Sequence, residues 1–599
     1  MDNIFSARVE AVRALMQSNG WDILILTGSD PHASEYPAPR WQQVCWVSGF
    51  TGEAGDLVIT RDHAGLWTDT RYFIQANTQL AGTGIQLHKM RVPEQVPIPE
   101  WIASLQMEAP VIAVDGLCQT VSAIHTLQKA VPSATVVPVP DLLSTLWKDR
   151  PAIPSTPIIT LGEDLTGESR EAKIHWLRKW MMLQEVDAIF LTALDEIAWL
   201  LNVRGSDVDY NPLVISYLLV TMDDVYWFVR KDESQEPDEE TQASFQELLS
   251  DEITLCAYEE AGIALSTFVH ENVDRIFVDP GTLNIQLRAT LEESGYDVLE
   301  GLSPIPLRKS IKNSVEIAGV REAHLEDGLA MEKFLYWLEG KIGQVDEWEA
   351  ACKLQSFRAE IPGYRGDSFQ TISAYGPGAA LPHYVTPRNS APVLEPHGLY
   401  LLDSGGQYLF GTTDITRTIP LGPCTALEKE DYTLVMKCHI DLSMAVFPVG
   451  TCGCHLDILA RNPLWQTKRN FGHGTGHGVG FFLGVHEGPQ EFRQNFNAYP
   501  YVPGIINTIE PGLYREGLHG VRHENVVLVR DAGTSEFGKW YSFETLTLCH
   551  YDTSVLVLDL MTPEEIAWLN AYNERVYREL SPRLPAEVAA WLHEKTRPV

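Results

Sequence analysis

Five residues in the C-terminal half of the chain have the types and spacing of metal ligands. They are Asp403, Asp414, His477, Glu510 and Glu524. Four carboxylates gathered in one pocket would carry about four negative charges, and such a cluster cannot stay ionised in a protein interior unaided. Two divalent cations would neutralise it. Four oxygen donors and one imidazole, with no thiolate, suit a hard or borderline ion such as manganese better than a structural zinc.

Glycine and proline surround several of these candidate ligands. His477 closes the string His-Gly-Thr-Gly-His, in which glycine lets the backbone pass close to another group. A phosphate-binding loop is the alternative, but the Lys-Ser/Thr pair of a P-loop is absent. Glu510 precedes a proline and a glycine, which predicts a fixed turn. Glu524 precedes the apolar run 526–529, and a carboxylate at the end of a buried strand needs a partner.

The residues around Asp403 and Asp414 have the pattern of paired strands. Strand signals at 398–404 and 413–419 are separated by glycines, which predicts a β-hairpin or meander. Such pairing would bring the two carboxylates together across neighbouring strands.

Helical patterns flank these strands. Asn313 followed by Glu316 resembles a capping box, and apolar residues then recur at helical spacing through Leu338, so a long helix is predicted. Residues 562–596 are also helical in pattern. We expect them to dock on this block or to contribute to a dimer contact.

The first half of the chain predicts a duplicated α/β module. Residues 1–150 alternate helix and strand signals, and a proline-rich stretch at 150–157 predicts a linker. The plan then repeats, with tryptophan-bearing apolar strands at 65–68 and 225–228. The other predicted strands of the first block are residues 21–26, 56–60 and 64–68.

Composition limits the class of protein. A chain of 599 residues is too long for one core and predicts about two to four domains. The hydrophobic content of 45% is that of an ordinary globular protein, and the net charge of -35 argues against a nucleic-acid partner. The acidic stretch from Lys231 to Glu247 is predicted to be a solvated loop leading into a helix.

The cellular compartment of the protein is predicted from its cysteines and from its N-terminal residues. Nine cysteines without framework spacing, and no Asn-x-Ser/Thr acceptor, favour a reducing compartment. Residues 1–19 predict an amphipathic helix that lacks the uninterrupted apolar core of a signal peptide. No stretch approaches the roughly 18 apolar residues of a membrane span. We therefore expect a cytoplasmic protein without a membrane partner.

The strings around the five candidate ligands resemble those of the pita-bread metallopeptidases, the family of aminopeptidase P, prolidase and methionine aminopeptidase. The segments 48–52, 67–73, 195–199 and 204–207 are similar to the N-terminal domains of its three-domain cytosolic aminopeptidase P subgroup. This resemblance implies an α/β (α+β) fold. Two creatinase-like α/β domains, residues 1–150 and 151–311, would precede a pita-bread catalytic domain with a C-terminal helical extension, residues 312–599.

The resemblance also implies roles for the ligands. Asp414 and Glu524 would bridge two ions, Asp403 would complete one site, and His477 with Glu510 would complete the other. A hydroxide shared by the ions would attack the first peptide bond, and Glu510 would take the proton from that water.

Three further histidines and one arginine complete the predicted site. By the resemblance, His383 would assist proton transfer near the scissile bond, His486 would contact the substrate and the tetrahedral intermediate, and His473 would line the pocket. From the residues alone, each histidine could equally be structural. Arg522 lies two residues before Glu524, and strand alternation would put both on one face. Arg522 could then support the carboxylates, and a plain surface arginine is the alternative.

The implied activity is that of a homodimeric Xaa-Pro aminopeptidase, which acts on peptides with proline at the second position and uses two ions, expected to be Mn²⁺. Prolidase, which acts on Xaa-Pro dipeptides, is one alternative, although prolidases usually have two domains. A metal-free binding module is another, although such proteins lack the five ligands. Two weaker motifs are rejected: Cys452-Gly453-Cys454-His455 has no second Cys pair, and Ser404 lacks the Gly-x-Ser-x-Gly context of a hydrolase.

Overall fold

The computed structural model describes residues 4–230, 239–251, 253–267 and 273–599. The chain forms two compact units. The N-terminal unit contains residues 1–163 and 168–305, and the C-terminal unit contains residues 164–167 and 306–599. Residues 231–238 of the predicted acidic loop lie outside the described part, and the helix expected after that loop begins at Glu239. Within the described residues, no helix is both long and apolar enough to cross a membrane.

The N-terminal unit contains two six-stranded sheets with the same plan. The first has the order β4-β3-β2-β1-β5-β6, with strands β1 (Ile23–Leu26), β2 (Asp56–Thr60), β3 (Ala64–Thr68), β4 (Gln86–Lys89), β5 (Val111–Asp115) and β6 (Thr135–Val139). Strand β1 is antiparallel to β2 and parallel to β5. The helices around it are α1 (Ile4–Asn19), α2 (Gln43–Ser48), α3 (Phe73–Gln79), α4 (Ile98–Ser104) and α5 (Val121–Ala130).

The second sheet repeats this order as β12-β11-β10-β8-β13-β14, and a small sheet pairs β7 with β9. The strands are β7 (Ile159–Thr160), β8 (Ala188–Leu191), β9 (Val203–Arg204), β10 (Ser216–Thr221), β11 (Val225–Val229), β12 (Ile253–Ala257), β13 (Arg275–Val278) and β14 (Asp297–Glu300). The helices from this region are α6 (Glu163–Thr166), α7 (Arg170–Gln184), α8 (Leu194–Leu201), α9 (Glu239–Ser250), α10 (Ala261–Thr267), α11 (Ile285–Glu293) and α12 (Ile305–Ser310).

The predicted duplication is confirmed by this shared strand order. Strand β8 is antiparallel to β10 and parallel to β13, as β1 is to its neighbours. Trp46 lies in α2 and Trp199 in α8, the equivalent helices of the two modules. Most of the stretch predicted as a linker, residues 151–158, contains neither helix nor strand.

The predicted long helix of the C-terminal unit is α13 (Ser314–Glu339). Its capping box is formed as expected, with the side chain of Asn313 accepting from the backbone of Glu316 and the Glu316 carboxylate accepting from the backbone of Asn313. The remaining helices are α14 (Glu347–Arg358), α15 (Ala426–Ser443), α16 (Gly453–Gln466), α17 (Pro563–Leu580) and α18 (Ala586–Lys595).

The strands of this unit form four sheets, with the orders β15-β18-β19, β16-β17-β20, β25-β26 and β21-β28-β27-β24-β22-β23. The strands are β15 (Tyr364–Asp367), β16 (Ile372–Tyr375), β17 (Leu399–Ser404), β18 (Gly406–Tyr408), β19 (Gly411–Thr412), β20 (Ile415–Pro420), β21 (Val446–Pro448), β22 (Gly476–Gly478), β23 (Glu487–Phe492), β24 (Ile506–Ile509), β25 (Gly512–Arg515), β26 (His519–Arg522), β27 (Asn525–Ser535) and β28 (Gly538–Thr545).

The C-terminal helices dock on this unit, as expected from their pattern. Leu569 and Val576 of α17 and Leu592 of α18 are fully buried in a cluster that also contains Tyr432 of α15. Burying each such side chain stabilises the fold by about 1.5–3 kcal/mol. The last helices therefore form part of the core of this unit.

Candidate metal centre and active site

The predicted meander brings two of the carboxylates together. Strands β17 and β20 are antiparallel, with Asp403 opposite Thr416, and Asp414 comes one residue before β20 begins. Both aspartates are buried. Asp414 and Asp403 lie close enough for their charges to repel.

His477 joins these carboxylates from strand β22. Its Nε2 atom lies 3.5 Å from Oδ2 of Asp414 and 3.6 Å from Oε1 of Glu510. Its Nδ1 atom lies 3.0 Å from the carbonyl oxygen of Gly478. Because a carbonyl only accepts, Nδ1 carries the hydrogen, and the Nε2 lone pair faces the two carboxylates as a metal ligand requires.

Glu524 comes directly before β27 and is tied to Thr416. The backbone N–H of Glu524 donates to the carbonyl oxygen of Thr416 at 3.1 Å, and its Oε2 atom accepts from the Thr416 hydroxyl at 2.8 Å. Ligand atoms of Asp414, His477 and Glu524 all lie within 4.8 Å of one another. Three donors at this separation can hold a divalent ion.

Asp403 has one oxygen bound by protein and one that is not. Its Oδ2 atom accepts from Arg522 Nη2 at 2.6 Å and from Arg522 Nε at 3.1 Å. Its Oδ1 atom is buried and has no hydrogen-bond partner among the residues that the structure describes. A buried carboxylate oxygen needs a partner. A cation at this position would supply one, so the donor set fits the predicted metal centre.

The electrostatics of the cluster agree with a cation. Burial, together with the charges of Asp403 and Glu510, raises the pKa of Asp414 well above its ordinary range. Burial and the charges of Asp414 and Asp403 do the same to the pKa of Glu524. Divalent ions would remove this penalty by neutralising the carboxylates.

Glu510 is the most accessible carboxylate of the group. It follows β24, and its backbone N–H donates to the carbonyl oxygen of Thr475 at 2.7 Å. Its side chain is 20% exposed, whereas Glu524 is 1% exposed. Glu510 therefore lies where the cluster meets solvent, the position that a proton acceptor for an entering water requires.

The glycines around His477 permit close strand packing. A Cβ atom at Gly476 would lie 1.9 Å from the backbone oxygen of Thr508, and one at Gly478 would lie 2.2 Å from that of Glu487. The sequence predicted that the glycines allow a close approach. The approaching group is the protein's own backbone.

His473 and Arg522 are linked through Tyr514. The Tyr514 hydroxyl accepts from Arg522 Nη1 at 2.7 Å and lies 2.8 Å from His473 Nε2. Burial and the charge of Arg522 lower the pKa of His473 well below its ordinary value. The imidazole is therefore neutral. Its Nδ1–H donates to the carbonyl oxygen of Gly474 at 2.6 Å, and Nε2 accepts from the tyrosine.

Arg522 is not a surface residue, so that alternative is wrong. The expected strand alternation between Arg522 and Glu524 is also wrong. The residue is 3% exposed. Strand β26 ends at Arg522 and β27 begins at Asn525, so Arg522 and Glu524 do not alternate along one strand. The carboxylate that Arg522 supports is Asp403, which belongs to a different sheet.

His486 and His383 border the same cluster. The ring of His486 packs edge-on against that of His477, with 4.3 Å between centroids, and its charge lowers the pKa of Asp414. His383 is half-buried, and its charge contributes to the lowered pKa of His473. All nine residues singled out in the sequence thus lie in one region of the C-terminal unit.

Sequence reasoning missed Thr416 and Tyr514. Both lie within a few residues of a predicted ligand, in Thr-Thr-Asp-Ile-Thr and in Glu-Pro-Gly-Leu-Tyr. Their proximity to ligands was the signal that could have found them. The rejected string Cys452-Gly453-Cys454-His455 forms the start of helix α16, where the Cys452 backbone N–H donates to His455 Nδ1 at 3.1 Å.

Family models match almost the whole chain. Metallopeptidase family M24 matches residues 318–531, and the C-terminal region of peptidase M24 matches residues 539–599. Two models of the creatinase/prolidase N-terminal domain match residues 8–146 and 149–316. The fold and the site thus define a metallopeptidase with two creatinase-type domains before a pita-bread domain.

Full-length relatives agree with these matches. The chain is 35% identical to aminopeptidase P1 of Lotus japonicus over 665 aligned residues that cover 100% of both proteins. It is 37% identical to a probable Xaa-Pro aminopeptidase P of Sordaria macrospora, with 99% of each covered. The chain therefore belongs to metallopeptidase family M24.

A solved structure has the same fold over nearly the full length. The crystal structure of X-prolyl aminopeptidase from Caenorhabditis elegans, described as a cytosolic enzyme with a di-nuclear active site, superimposes with a TM-score of 0.94 at 32% identity. It covers 99% of this chain and 100% of its own. An Xaa-Pro dipeptidase from Bacillus anthracis shares the fold over 64% of this chain, with a TM-score of 0.52.

Proposed function

We propose that this protein is an Xaa-Pro aminopeptidase, which hydrolyses the bond between an N-terminal residue and a following proline. The observation that carries this proposal is the cluster of four carboxylates and one imidazole, in which the buried Oδ1 atom of Asp403 has no hydrogen-bond partner among the described residues. Relatives of matching length with this activity in their names support it. Proline has no backbone N–H and fixes φ, so this bond needs a dedicated pocket.

The proposed ligands of two divalent ions are Asp403, Asp414, His477, Glu510 and Glu524. The di-nuclear site of the C. elegans enzyme supports the number of ions. Oxygen donors and one imidazole suit Mn²⁺, the ion that we propose. When bound, the two ions would supply Lewis acidity and neutralise the carboxylates.

The side chains have separate proposed tasks. Glu510, on the accessible side of the cluster, accepts a proton from the attacking water. His486 contacts the substrate beside His477, and His383 assists proton transfer at the leaving proline nitrogen. Support comes from the exposure of Glu510 and from the ring contact between His486 and His477.

Arg522 and His473 are assigned to the substrate pocket and its wall. Arg522 donates to Asp403 and to the Tyr514 hydroxyl, so it fixes the carboxylate in one orientation. His473 accepts from Tyr514 and is neutral, so it adds no charge to the pocket that receives the proline ring.

Domain limits, assembly and location are part of the proposal. We place the domains at residues 1–150, 151–311 and 312–599, and the bounds of the family matches support this division. We further propose a homodimer formed partly through the first domain, and a cytoplasmic location. The description of the C. elegans enzyme as cytosolic supports the location.

Parallel assays on an Xaa-Pro-Pro tripeptide and an Xaa-Pro dipeptide test this function, each with Mn²⁺ and with a chelator. We expect metal-dependent release of the first residue from the tripeptide. Glu510→Gln should abolish this release, whereas Glu516→Gln, at an exposed position on the following turn, should not change it. Cleavage confined to the dipeptide would instead identify a prolidase. Cleavage of neither would refute the peptidase function.

A further inference from the structure

Glu347 is a buried carboxyl group close to the proposed site. It is the first residue of α14 and has no exposed surface. Its Oε2 atom accepts from the Tyr384 hydroxyl at 2.8 Å, and its Oε1 atom accepts from the backbone N–H of Tyr375 at 2.6 Å. Burial raises the pKa of Glu347 to about 7. A carboxyl group at such a position is costly unless it is hydrogen-bonded.

Tyr384 directly follows His383 in the chain. Its ring packs against an apolar cluster that contains Ile372 and Leu401. A Cβ atom at Gly378 would lie 3.2 Å from the ring, so the backbone of that turn also touches Tyr384. The ring is therefore held by packing on its sides and by Glu347 at its hydroxyl.

Residues 384–386 have a second anchor, at Thr386, that also involves Glu347. The Thr386 hydroxyl donates to the carbonyl oxygen of Ser373 at 3.0 Å, and the Ser373 N–H donates back to that hydroxyl at 3.2 Å. The Ser373 hydroxyl in turn donates to the backbone carbonyl of Glu347 at 2.6 Å. Residues 384–386 are thus attached to the start of α14 through both the side chain and the backbone of Glu347.

Arg522 contacts Pro382, the residue that precedes His383. Its Nη2 atom donates to the carbonyl oxygen of Pro382 at 3.3 Å, while the same guanidinium holds Asp403. His383 therefore lies between Pro382, which Arg522 links to the candidate metal ligand Asp403, and Tyr384, which Glu347 links to α14.

We propose that Glu347 is a positioning residue, which acts through Tyr384 to hold the His383 imidazole at the reacting end of the substrate. This inference rests on the proposed peptidase function. Glu347 is assigned no direct part in the proposed reaction, because its carboxyl group is hydrogen-bonded to Tyr384 and Tyr375.

Both charge states of Glu347 can make these contacts. The carboxylate accepts from Tyr384 and Tyr375. The neutral acid still accepts from Tyr375 and donates its own hydrogen to the Tyr384 oxygen. Glutamine reproduces the neutral arrangement, with its oxygen toward Tyr375 and its amide toward Tyr384. Alanine removes both contacts and leaves the tyrosine hydroxyl without its partner.

The test measures kcat and KM for an Xaa-Pro-Pro tripeptide in Mn²⁺-loaded Glu347→Ala, Glu347→Gln and Tyr384→Phe, each made in the wild-type and in the His383→Ala background. We expect Glu347→Ala to lower kcat about 10- to 100-fold, as small misplacements of a reacting group do. Glu347→Gln, which retains both hydrogen bonds, should keep kcat within about threefold of wild type. In the His383→Ala background, Glu347→Ala should have almost no further effect. The control is Glu360→Ala, an exposed position just beyond the end of α14.

Two results would overturn the inference: unchanged kcat in Glu347→Ala, or an equal loss in both backgrounds, which would indicate general damage to the fold. If Glu347→Ala does not fold, Tyr384→Phe gives the same comparison with the buried carboxyl retained.

A second readout does not depend on turnover. The His383 ring resonance, assigned by its loss in His383→Ala, should shift in Glu347→Ala and stay unchanged in Glu347→Gln. An unshifted resonance in Glu347→Ala would also refute the inference. A wild-type enzyme that cleaves no Xaa-Pro bond would refute the function alone, and this measurement would still decide the role of Glu347.

Discussion

Replacing Thr416 with valine tests whether the protein orients the carboxylate of Glu524, a proposed metal ligand, before metal binds. Valine keeps the shape of threonine and removes the hydroxyl that donates to Glu524 Oε2 at 2.8 Å. Thr416 is fully buried, so water cannot replace this donor. A hydrogen bond to a charged group contributes about 1.5–3 kcal/mol. At about 1.4 kcal/mol for each tenfold, Mn²⁺ binding should weaken about 10- to 100-fold.

The loss should be greater at lower pH. The Thr416 hydroxyl lowers the pKa of Glu524, opposing the increase caused by burial and by the neighbouring carboxylates. Without this hydroxyl, the pKa of Glu524 rises further, and protons compete more strongly with the metal. The ratio of the valine variant's dissociation constant to that of the wild type should therefore increase as the pH falls.

Calorimetric titration of chelator-treated protein with Mn²⁺ measures this effect. Thr416→Ser is the matched control, because it retains the hydroxyl and loses only a methyl group, and it should bind within about threefold of wild type. Equal affinities for the valine variant and the wild type would refute the reasoning. So would a serine variant as weak as valine, since packing and not the hydroxyl would then be responsible.

Three further outcomes are expected. Without metal, the melting temperature should fall as the pH rises from about 5 to about 8, because the raised pKa values of Asp414 and Glu524 make the folded state bind more protons than the unfolded chain. Bound Mn²⁺ should abolish this trend. A melting temperature that rises with pH in the metal-free protein would contradict the prediction. Gly476→Ala puts a Cβ atom 1.9 Å from a backbone oxygen, so Mn²⁺ affinity by titration should drop at least about 10-fold. Arg358→Ala breaks the fully buried ion pair with Asp327 and should lower the free energy of unfolding, measured by urea denaturation, by about 3–5 kcal/mol. Arg321→Ala breaks a half-exposed pair with Glu544 and should lower it by less than about 1 kcal/mol. Equal losses in the two variants would contradict this prediction.

The strands and the ligands could be predicted because their signals are local. Asp56–Thr60 and Ala64–Thr68 have the bounds expected from their apolar runs and the turn between them. The candidate ligands were recognisable because each carboxylate or imidazole stands in a string of glycine, proline or apolar residues, where a charged group has no solvent to face. Local sequence carries both kinds of information.

The supporting contacts could not be predicted because they join distant parts of the chain. Glu347 and Tyr384 are 37 residues apart, and Thr416 and Glu524 are 108 residues apart. Their pairing depends on how sheets stack and on the register between strands. A shift by one residue in the pairing of β17 with β20 would move Thr416 away from Asp403. No pattern near these residues indicates which carboxylate each one will meet.

Arg522 illustrates how a correct expectation can rest on a wrong reason. Strand alternation suggested that Arg522 shares one face with Glu524 and supports the carboxylates from there, but the chain leaves β26 at Arg522 before β27 begins. The guanidinium instead reaches Asp403, 119 residues earlier, while Thr416 supplies the donor to Glu524. The two buried carboxylates therefore have different supports, one cationic and one neutral. Burial and the charges of Asp414 and Asp403 raise the pKa of Glu524 in spite of the hydrogen bond from Thr416, so a divalent ion bound there would stabilise the charged form further.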